Sequence, residues 1–297
     1  MNTPKFTIAT ISYNSSNWIH ECISSVLNSS FTDFEFLISD DCSTDDSWQI
    51  IQKFPDHRIT AWKNEKNLGE YKNRNKVLNA AKGEYFLFVD GDDVLYQQSL
   101  EILLKYIADY PQVKSIYGID KNCLPGVSLP KLLNPKEAYK WIYSFNIPIA
   151  YVGFAETLFK TEFIKSIGGF PETLECGDTY IKKLIPAFGP ILIVEAGLQY
   201  WRTSTNQASA KLRHDLTGYQ NNVKIDRMIL ANPEVIPNLP SLDLCKRNTM
   251  VRNIKLLFSH TFLKFKFTEG FSLYKKLEFK ITDLQYLFKK AKLEKIN

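Results

Sequence analysis

The sequence predicts an α/β protein: a mostly parallel sheet flanked by helices, followed by a helical C-terminal extension. Three observations point there. Short β-rich runs alternate with amphipathic helical runs through about residue 120, as in chained βαβ units. Clusters of polar and acidic residues stand immediately after three of the β-rich runs. Beyond about residue 210 the chain reads as helices with aromatic and basic residues interleaved.

The elements follow in order. Phe6–Ser12 (FTIATIS) reads as a buried strand, and Asn14-Ser15-Ser16-Asn17 supplies a turn with N-cap candidates. Ile19, Cys22, Ile23, Val26 and Leu27 fall on one face of a helix. Phe34–Ser39 is a second strand, and the polar turn Asp40–Asp46 leads to a helix carrying Trp48 and Ile51. Ile59–Trp62 reads as a third strand and Tyr71–Lys82 as a helix closed by Gly83. Tyr85–Val89 is a strongly apolar strand ended by Asp90-Gly91-Asp92-Asp93. Leu100, Leu103, Leu104 and Ile107 mark a helix, and Ser115–Ile119 a strand. The Pro- and aromatic-rich segment 121–150 is expected to loop over the sheet, with a helix over Thr179–Phe188 and a strand at Ile191–Glu195.

Composition narrows the class. With 297 residues, the chain holds one large domain or one domain plus an extension. Hydrophobic residues are 44% and charged residues 23%, which excludes a disordered tail and a coiled coil. No run reaches the ~18 apolar residues of a spanning helix. Met1–Lys5 leads straight into an apolar strand without a basic and then hydrophobic leader, so a secretory signal is not expected. The five cysteines are scattered with no CxxC, which fits a reducing cytosol better than a disulfide framework or zinc ribbon. Net charge is +5, unevenly spread: residues 245–297 hold 13 basic and 4 acidic groups, and residues 1–244 hold 24 and 28.

In parallel sheets, ligands bind beyond the carboxyl ends of the strands. Ser12-Tyr13-Asn14, Asp40-Asp41 and Asp90–Asp93 all fall at such ends. Asp90, Asp92 and Asp93 form a hard-oxygen cluster suited to Mg²⁺ or Mn²⁺, or else a solvated acidic turn capping the next helix. Asp41 could accept a nucleobase N–H or ribose hydroxyl, or cap a helix. Arg74 could pair with a base or a diphosphate oxygen, or lie idle on the surface. Asp178 could serve as a general base at a helix start, or as a helix cap, with Glu175 close by. Phosphate-loop, dinucleotide, zinc-protease and nucleophile-elbow motifs are absent. Of the four dispersed histidines only His214, near Arg202 and Arg213, stands in a suggestive place.

This order of motifs resembles the family 2 glycosyltransferases of the GT-A fold. The resemblance rests on TISYN (10–14), TDFEFLISDDCSTDDS (32–47), NLGEYKNRN (67–75), GEYFLFVDGDD (83–93), and GFAETLFKTEFIKSIGGF running into GGFPETLECGD (168–178). It covers about residues 5–205. It implies a Rossmann-like, mixed, mostly parallel sheet in a catalytic domain over 1–210, with a nucleotide-binding half (1–120) and an acceptor-binding half (121–210). Residues 211–297 form the extension. By position, the resemblance gives Ile11, Ser12 and Tyr13 to the nucleoside cradle, Asp41 to the base and Arg74 to the nucleotide. Asp92 goes to the ribose or metal side, Asp93 to direct metal ligation, and Asp90 opens the DxD. Asp178 takes the place of the catalytic base of inverting members. Two departures stand out: Ile11-Ser12 where Pro-Thr is frequent, and Gly177 where an acidic residue precedes the base.

The implied activity is metal-dependent, inverting transfer from a nucleotide-sugar, foremost a UDP-sugar, with Mn²⁺ or Mg²⁺. The acceptor would be a saccharide or lipid-linked saccharide, and the product a surface polysaccharide or glycoconjugate. The expected location is cytoplasmic, at the inner face of the plasma membrane. The basic-aromatic segment 245–297 allows peripheral membrane contact or packing with solvated lysines; no nucleic-acid motif is present. The competing readings are a nucleotidyltransferase, which would open with a Gly-rich loop absent here, and a degenerate nucleotide-binding scaffold.

Overall fold

The computed structural model describes residues 3–145, 147, 149, 153–202, 217–263, 267–277 and 279–288. The chain forms two compact units. The first takes Met1–Leu132, Tyr151–Thr173 and Gly189–Arg202; the second takes Leu133–Ala150, Leu174–Phe188 and Thr203–Asn297.

The first unit is built on a mixed sheet. Strands β1 (Phe6–Ser12), β2 (Phe34–Asp40), β3 (Ile59–Lys63), β4 (Tyr85–Phe88), β6 (Ser115–Ile119), β7 (Lys131–Leu133), β8 (Thr157–Lys160) and β9 (Ile191–Glu195) stand in the order β3-β2-β1-β4-β8-β6-β9-β7. β1 pairs in parallel with β2 and β4, and β2 with β3. β8 runs antiparallel between β4 and β6. The register sets Ser12 opposite Asp40 and Asp40 opposite Lys63, so three strands end together. A separate two-stranded ribbon joins β5 (Val94–Leu95) to β10 (Gln199–Tyr200).

Helices α1 (Ile19–Leu27), α2 (Ser47–Ile51), α3 (Glu70–Ala80), α4 (Ser99–Asp109) and α6 (Thr161–Ser166) flank this sheet. On one face α1 and α4 bury Ile19, Cys22, Ile23, Val26, Leu100 and Leu103 against alternate residues of the strands, including Phe6, Ile8, Phe36 and Leu87. A knot of aromatic rings, Phe88, Phe154, Phe159 and Phe170, packs with centroids 5.0–6.1 Å apart. Gly83 lets the chain enter β4: a Cβ there would sit 2.3 Å from the Thr7 amide nitrogen.

The second unit is helical. α5 (Pro135–Tyr143) replaces the loop expected over 121–150. Its signal is local: Asn134 and Glu137 form a reciprocal capping box, with Pro135 at the first helical position. α7 (Gly177–Leu184) passes into a 3₁₀ turn at Ile185–Phe188, where Pro186 cannot donate an amide. α8 (Thr217–Ala231), α9 (Leu242–Phe258) and α10 (Phe267–Lys276) complete it, with a π-type turn at Ser259–Leu263. Val223, Ile254, Leu257, Leu273, Leu277 and Phe279 form a small core. Beside this core lies a buried ion cluster. Lys183 Nζ is 2.6 Å from Asp226 Oδ1, with both side chains fully buried, and Arg252 binds the other Asp226 oxygen. Among the described residues, no helix is long and apolar enough to cross a membrane.

Removing one member of a buried ion pair strands the other in a low dielectric. Asp226→Ala is therefore expected to cost about 3–5 kcal/mol, read as a lower urea midpoint. Asp226→Asn should recover part of that, because its amide oxygen still accepts from Lys183.

Candidate active site

Parallel pairing puts three loops at one sheet edge, and hydrogen bonds fasten them together. Leaving β1, the Asn14 amide donates to Ser43 Oγ (2.9 Å), Ser15 N to Ser47 Oγ (2.8 Å) and Ser16 N to Asp45 Oδ2 (3.0 Å). Asn14 Oδ1 accepts from Thr44 N at 2.9 Å. Asn14 and Cys42 both adopt positive φ, 53° and 65°, so both loops turn sharply at the edge. Burial raises the Asp45 carboxyl, but the hydrogen bonds from Ser47 and Ser16 outweigh it and hold Asp45 at about 2.

The loop after β2 carries Asp41, which is buried. Its Oδ1 accepts from Asn64 Nδ2 (2.8 Å) and Leu68 N (2.9 Å), and its Oδ2 from Gly69 N (3.0 Å). Asp41 thereby fixes the loop that opens α3. At the adjacent strand ends, Ser12 Oγ and Asp40 Oδ2 are buried and find no partner among the described residues. Tyr13, just beyond, is 53% exposed, while Ile11 is half-buried.

The acidic turn after β4 sits against β1: Val89 N donates to Ala9 O and Gly91 N to Ile11 O. Arg74, reaching from α3, is buried and grips Asp90 with both arms, Nη1 to Oδ1 and Nη2 to Oδ2, each at 2.9 Å. It also bonds Glu70 at 3.1 Å and lies 4.5 Å over the rings of both Phe88 and Phe154. Burial opposes the Arg74 charge, yet Asp90 and Glu70 raise its pKa well above the ordinary value. Sequence reasoning sent Arg74 to the nucleotide and Asp90 to the metal; the structure joins the two to each other.

Asp93 is 2% exposed. Burial first, then repulsion from Asp90 and Asp92, pushes its carboxyl up to about 8, although the Arg202 amide donates to Oδ1 at 3.0 Å. Among the described residues, no three His, Cys, Asp or Glu side chains gather into a closed metal cage. The donor set fits a divalent cation of the Mg²⁺ or Mn²⁺ kind all the same. Such an ion is held by one or two carboxylates and completes its shell with substrate phosphates. Asp93 is a buried hard-oxygen donor for which burial and its acidic neighbours outweigh the nearby Arg74 charge, and Asp92 stands next to it. Asp90 has both oxygens in the fork of Arg74.

Arg202 is the residue that sequence reasoning passed over. Its amide binds Asp93, its Nε binds the Asp92 carbonyl at 2.9 Å, and its Nη2 reaches Glu21 at 2.7 Å. The guanidinium stacks on Trp18, 4.1 Å from the ring centroid. The preceding strand β10 is held from two sides. Gln199 donates to Phe88 O at 2.7 Å, and Glu156 accepts from the amides of Gly197, Leu198 and Gln199 at 3.2–3.3 Å. Gly118 makes room, since a Cβ there would lie 2.5 Å from Glu156 Oε2. A single arginine has no spacing signature; only the pairing of β10 with β5 brings it to the acidic turn.

Asp178 belongs to the second unit, in the first turn of α7, half-buried. Glu175 accepts from Asn221 at 2.9 Å. His214 lies outside the described residues.

The sheet order, the antiparallel strand beside β4 and the acidic turn after β4 define a GT-A-type fold. Residues 7–164 match the sequence profile described as "Glycosyl transferase family 2", and the chain belongs to that family. It is 34% identical over 137 residues to TuaG of Bacillus subtilis (strain 168), a glycosyltransferase named for teichuronic acid biosynthesis, covering 46% of this chain and 54% of TuaG. It is 30% identical over 179 residues to the poly(ribitol-phosphate) beta-N-acetylglucosaminyltransferase TarS of Staphylococcus aureus (strain Mu50 / ATCC 700699), covering 59% of this chain and 31% of TarS. It is 40% identical over 87 residues to the Escherichia coli enzyme WfaP, named a UDP-Glc:alpha-D-GlcNAc-diphosphoundecaprenol beta-1,3-glucosyltransferase; this is 29% of the chain and 35% of WfaP. The chain thus spans between about a third and a half of the length of these relatives. Two solved structures share the fold. TarS 1-349 of S. aureus with UDP-GlcNAc matches at TM-score 0.61 and 22% identity, over 95% of this chain and 78% of that one. The mannosyltransferase PcManGT of Pyrobaculum calidifontis with GDP-Man and Mn2+ matches at TM-score 0.63 and 18% identity, over 97% and 86%.

The Asp93 shift carries a sign. Its pKa rises on folding from 3.8 to about 8, so the folded state holds the proton more tightly. Stability of the protein kept in chelator is expected to fall as pH rises from about 4 to about 8. Asp93→Asn should flatten that slope, measured as melting temperature across the window.

Proposed function

We propose that the chain is a metal-dependent, inverting glycosyltransferase that moves a sugar from a UDP-sugar to an acceptor hydroxyl, in surface polysaccharide or glycoconjugate synthesis. One observation carries the reading: an acidic turn fastened to the end of β1 holds a buried carboxylate, Asp93, whose charged form a bound cation would stabilise. Family membership supports it, as do the TarS complex with UDP-GlcNAc and the names of TarS, TuaG and WfaP. The PcManGT complex with Mn2+ supports the metal.

In this reading Ile11, Ser12 and Tyr13 cradle the nucleoside. The Asp41 carboxylate has about four acceptor directions and spends three of them on Asn64, Leu68 and Gly69. The remaining one serves a base N–H. Asp93, with Asp92, would hold Mn²⁺ or Mg²⁺, which when bound supplies Lewis-acid neutralisation of the leaving diphosphate. Asp90, locked by Arg74, sets the pitch of the turn. Asp178 takes the proton from the acceptor hydroxyl, whose oxygen attacks the anomeric carbon from the face opposite the leaving group. The acceptor is a saccharide or lipid-linked saccharide. The enzyme works from the cytoplasmic side, in peripheral contact with the membrane through 245–297.

Titration of UDP-, GDP-, CMP- and dTDP-sugars with and without Mn²⁺ tests the donor. Metal-dependent binding of the UDP class is expected, and a folded protein that binds none of them would move the weight to a scaffold. Asp178→Asn should keep donor affinity and lose transfer by about 10²–10⁴-fold; equal loss of both would remove Asp178 as the base. Asp93→Asn should abolish the Mn²⁺ dependence of nucleotide binding.

A further inference from the structure

The second unit carries an exposed aromatic surface that its own packing leaves uncovered. Phe258 and Phe262 stack with centroids 4.5 Å apart, and Phe262 meets Phe267 edge-on at 5.6 Å. These three rings are 41–42% exposed, Phe271 is 60% exposed and Leu256 52%. Phe267 and Phe271, four residues apart on α10, share a helix face. Gly270 brings that helix in: a Cβ there would fall 1.9 Å from Thr261 Oγ1, so only glycine admits the approach. Leu273, Leu277 and Leu257 turn into the small core, on the same segment of the chain that leaves these rings partly exposed.

The charge around these rings selects the occupant. Lys255 and Lys275 are exposed on the helices that carry them. Lys264 and Lys266 stand between Phe262 and Phe267 in the sequence, and residues 245–297 sum to +9. A second copy meeting this surface with the same surface would bring like charge against like charge. An anionic bilayer surface answers both features, because its headgroups attract the lysines and its boundary region takes half-buried rings. We infer that the Phe258–Phe262–Phe267–Phe271 surface docks the chain on anionic membrane, lying on the bilayer and not crossing it. The inference rests on the peripheral-membrane part of the proposed function and is independent of the transfer chemistry.

The test uses the full chain with sedimenting vesicles of phosphatidylcholine alone or with equimolar phosphatidylglycerol. Wild type should bind the anionic vesicles, weakly bind the neutral ones, and release with salt. Phe262→Ser/Phe271→Ser should weaken binding about tenfold or more with an unchanged melting temperature, and Lys255→Glu should weaken it several-fold. Ile102→Ser, at an exposed position of the first unit, should leave binding unchanged. Phe271→Ser alone, at the most exposed ring of the cluster, serves if the double variant does not fold. Wild type that ignores anionic vesicles would overturn the peripheral reading itself. Salt-sensitive binding that survives the phenylalanine changes would overturn only this surface. A wild-type dimer dispersed by those changes, without vesicle binding, would assign the surface to a second copy. Donor titration, run in parallel, reports separately on the transfer reading.

Discussion

The bidentate pair between Arg74 and Asp90 is the contact on which the edge of the sheet depends. Arg74 is 3% exposed, so its charge has left water and must be answered inside the protein. Asp90 answers it with both oxygens, Glu70 adds a third contact, and the rings of Phe88 and Phe154 close over the guanidinium. The planar fork admits one orientation of the carboxylate. That fixes Asp90, and with it the direction in which Gly91, Asp92 and Asp93 leave the strand. A lysine here would supply charge without the fork, and the turn would lose its orientation. The same pair ties α3 to β4, so the loop capped by Asp41 and the acidic turn are held to one frame.

The consequence is an electrostatic imbalance placed where a ligand would relieve it. Three carboxylates stand within four residues, and Arg74 pairs directly with Asp90. The Arg202 amide gives Asp93 one hydrogen bond, too little to offset its burial and its two acidic neighbours. A fold selected only for stability would replace Asp93 with an apolar or amide side chain. Retaining it costs stability in the free protein, a cost that the proposed cation with its phosphates would offset. Local conflict of this kind is what a functional site looks like in an otherwise consistent fold.

The first unit was legible because parallel pairing turns sequence order into geometry. FTIATIS, FEFLIS and YFLFV are apolar strands whose ends must be polar, and the three polar clusters could meet only at one edge. The short pieces were less legible. β8 is four residues long and β5 and β10 two each, too short for periodicity to separate strand from loop. α5 was hidden by the Pro- and aromatic-rich composition around it, although Asn134-Pro135-Lys136-Glu137 spells a helix start. Within the site the residue types were readable, but the partnership was not: nothing in the spacing of Arg74 and Asp90 says that they bind each other, and Arg202 gave no signal.

The second unit was illegible for a different reason. Its packing turns on charges that composition would place in solvent. Lys182 and Lys183 are fully buried at adjacent positions of α7, and Asp226 is fully buried on α8. Lys183 is paired with Asp226, 43 residues away, and Asp226 in turn with Arg252. Apolar periodicity cannot find such a cluster, because each member breaks the pattern on its own helix. The family profile, too, ends at residue 164, whereas the solved folds align over nearly the whole chain. Backbone architecture thus persists beyond the segment that the family profile describes. Within that segment the polar residues stand at fixed strand ends, as Asp41 and Asp93 do. Beyond it β9, β10 and helices α7 to α10 of the second unit continue the architecture with side chains of this chain's own, the buried Lys183–Asp226 pair among them.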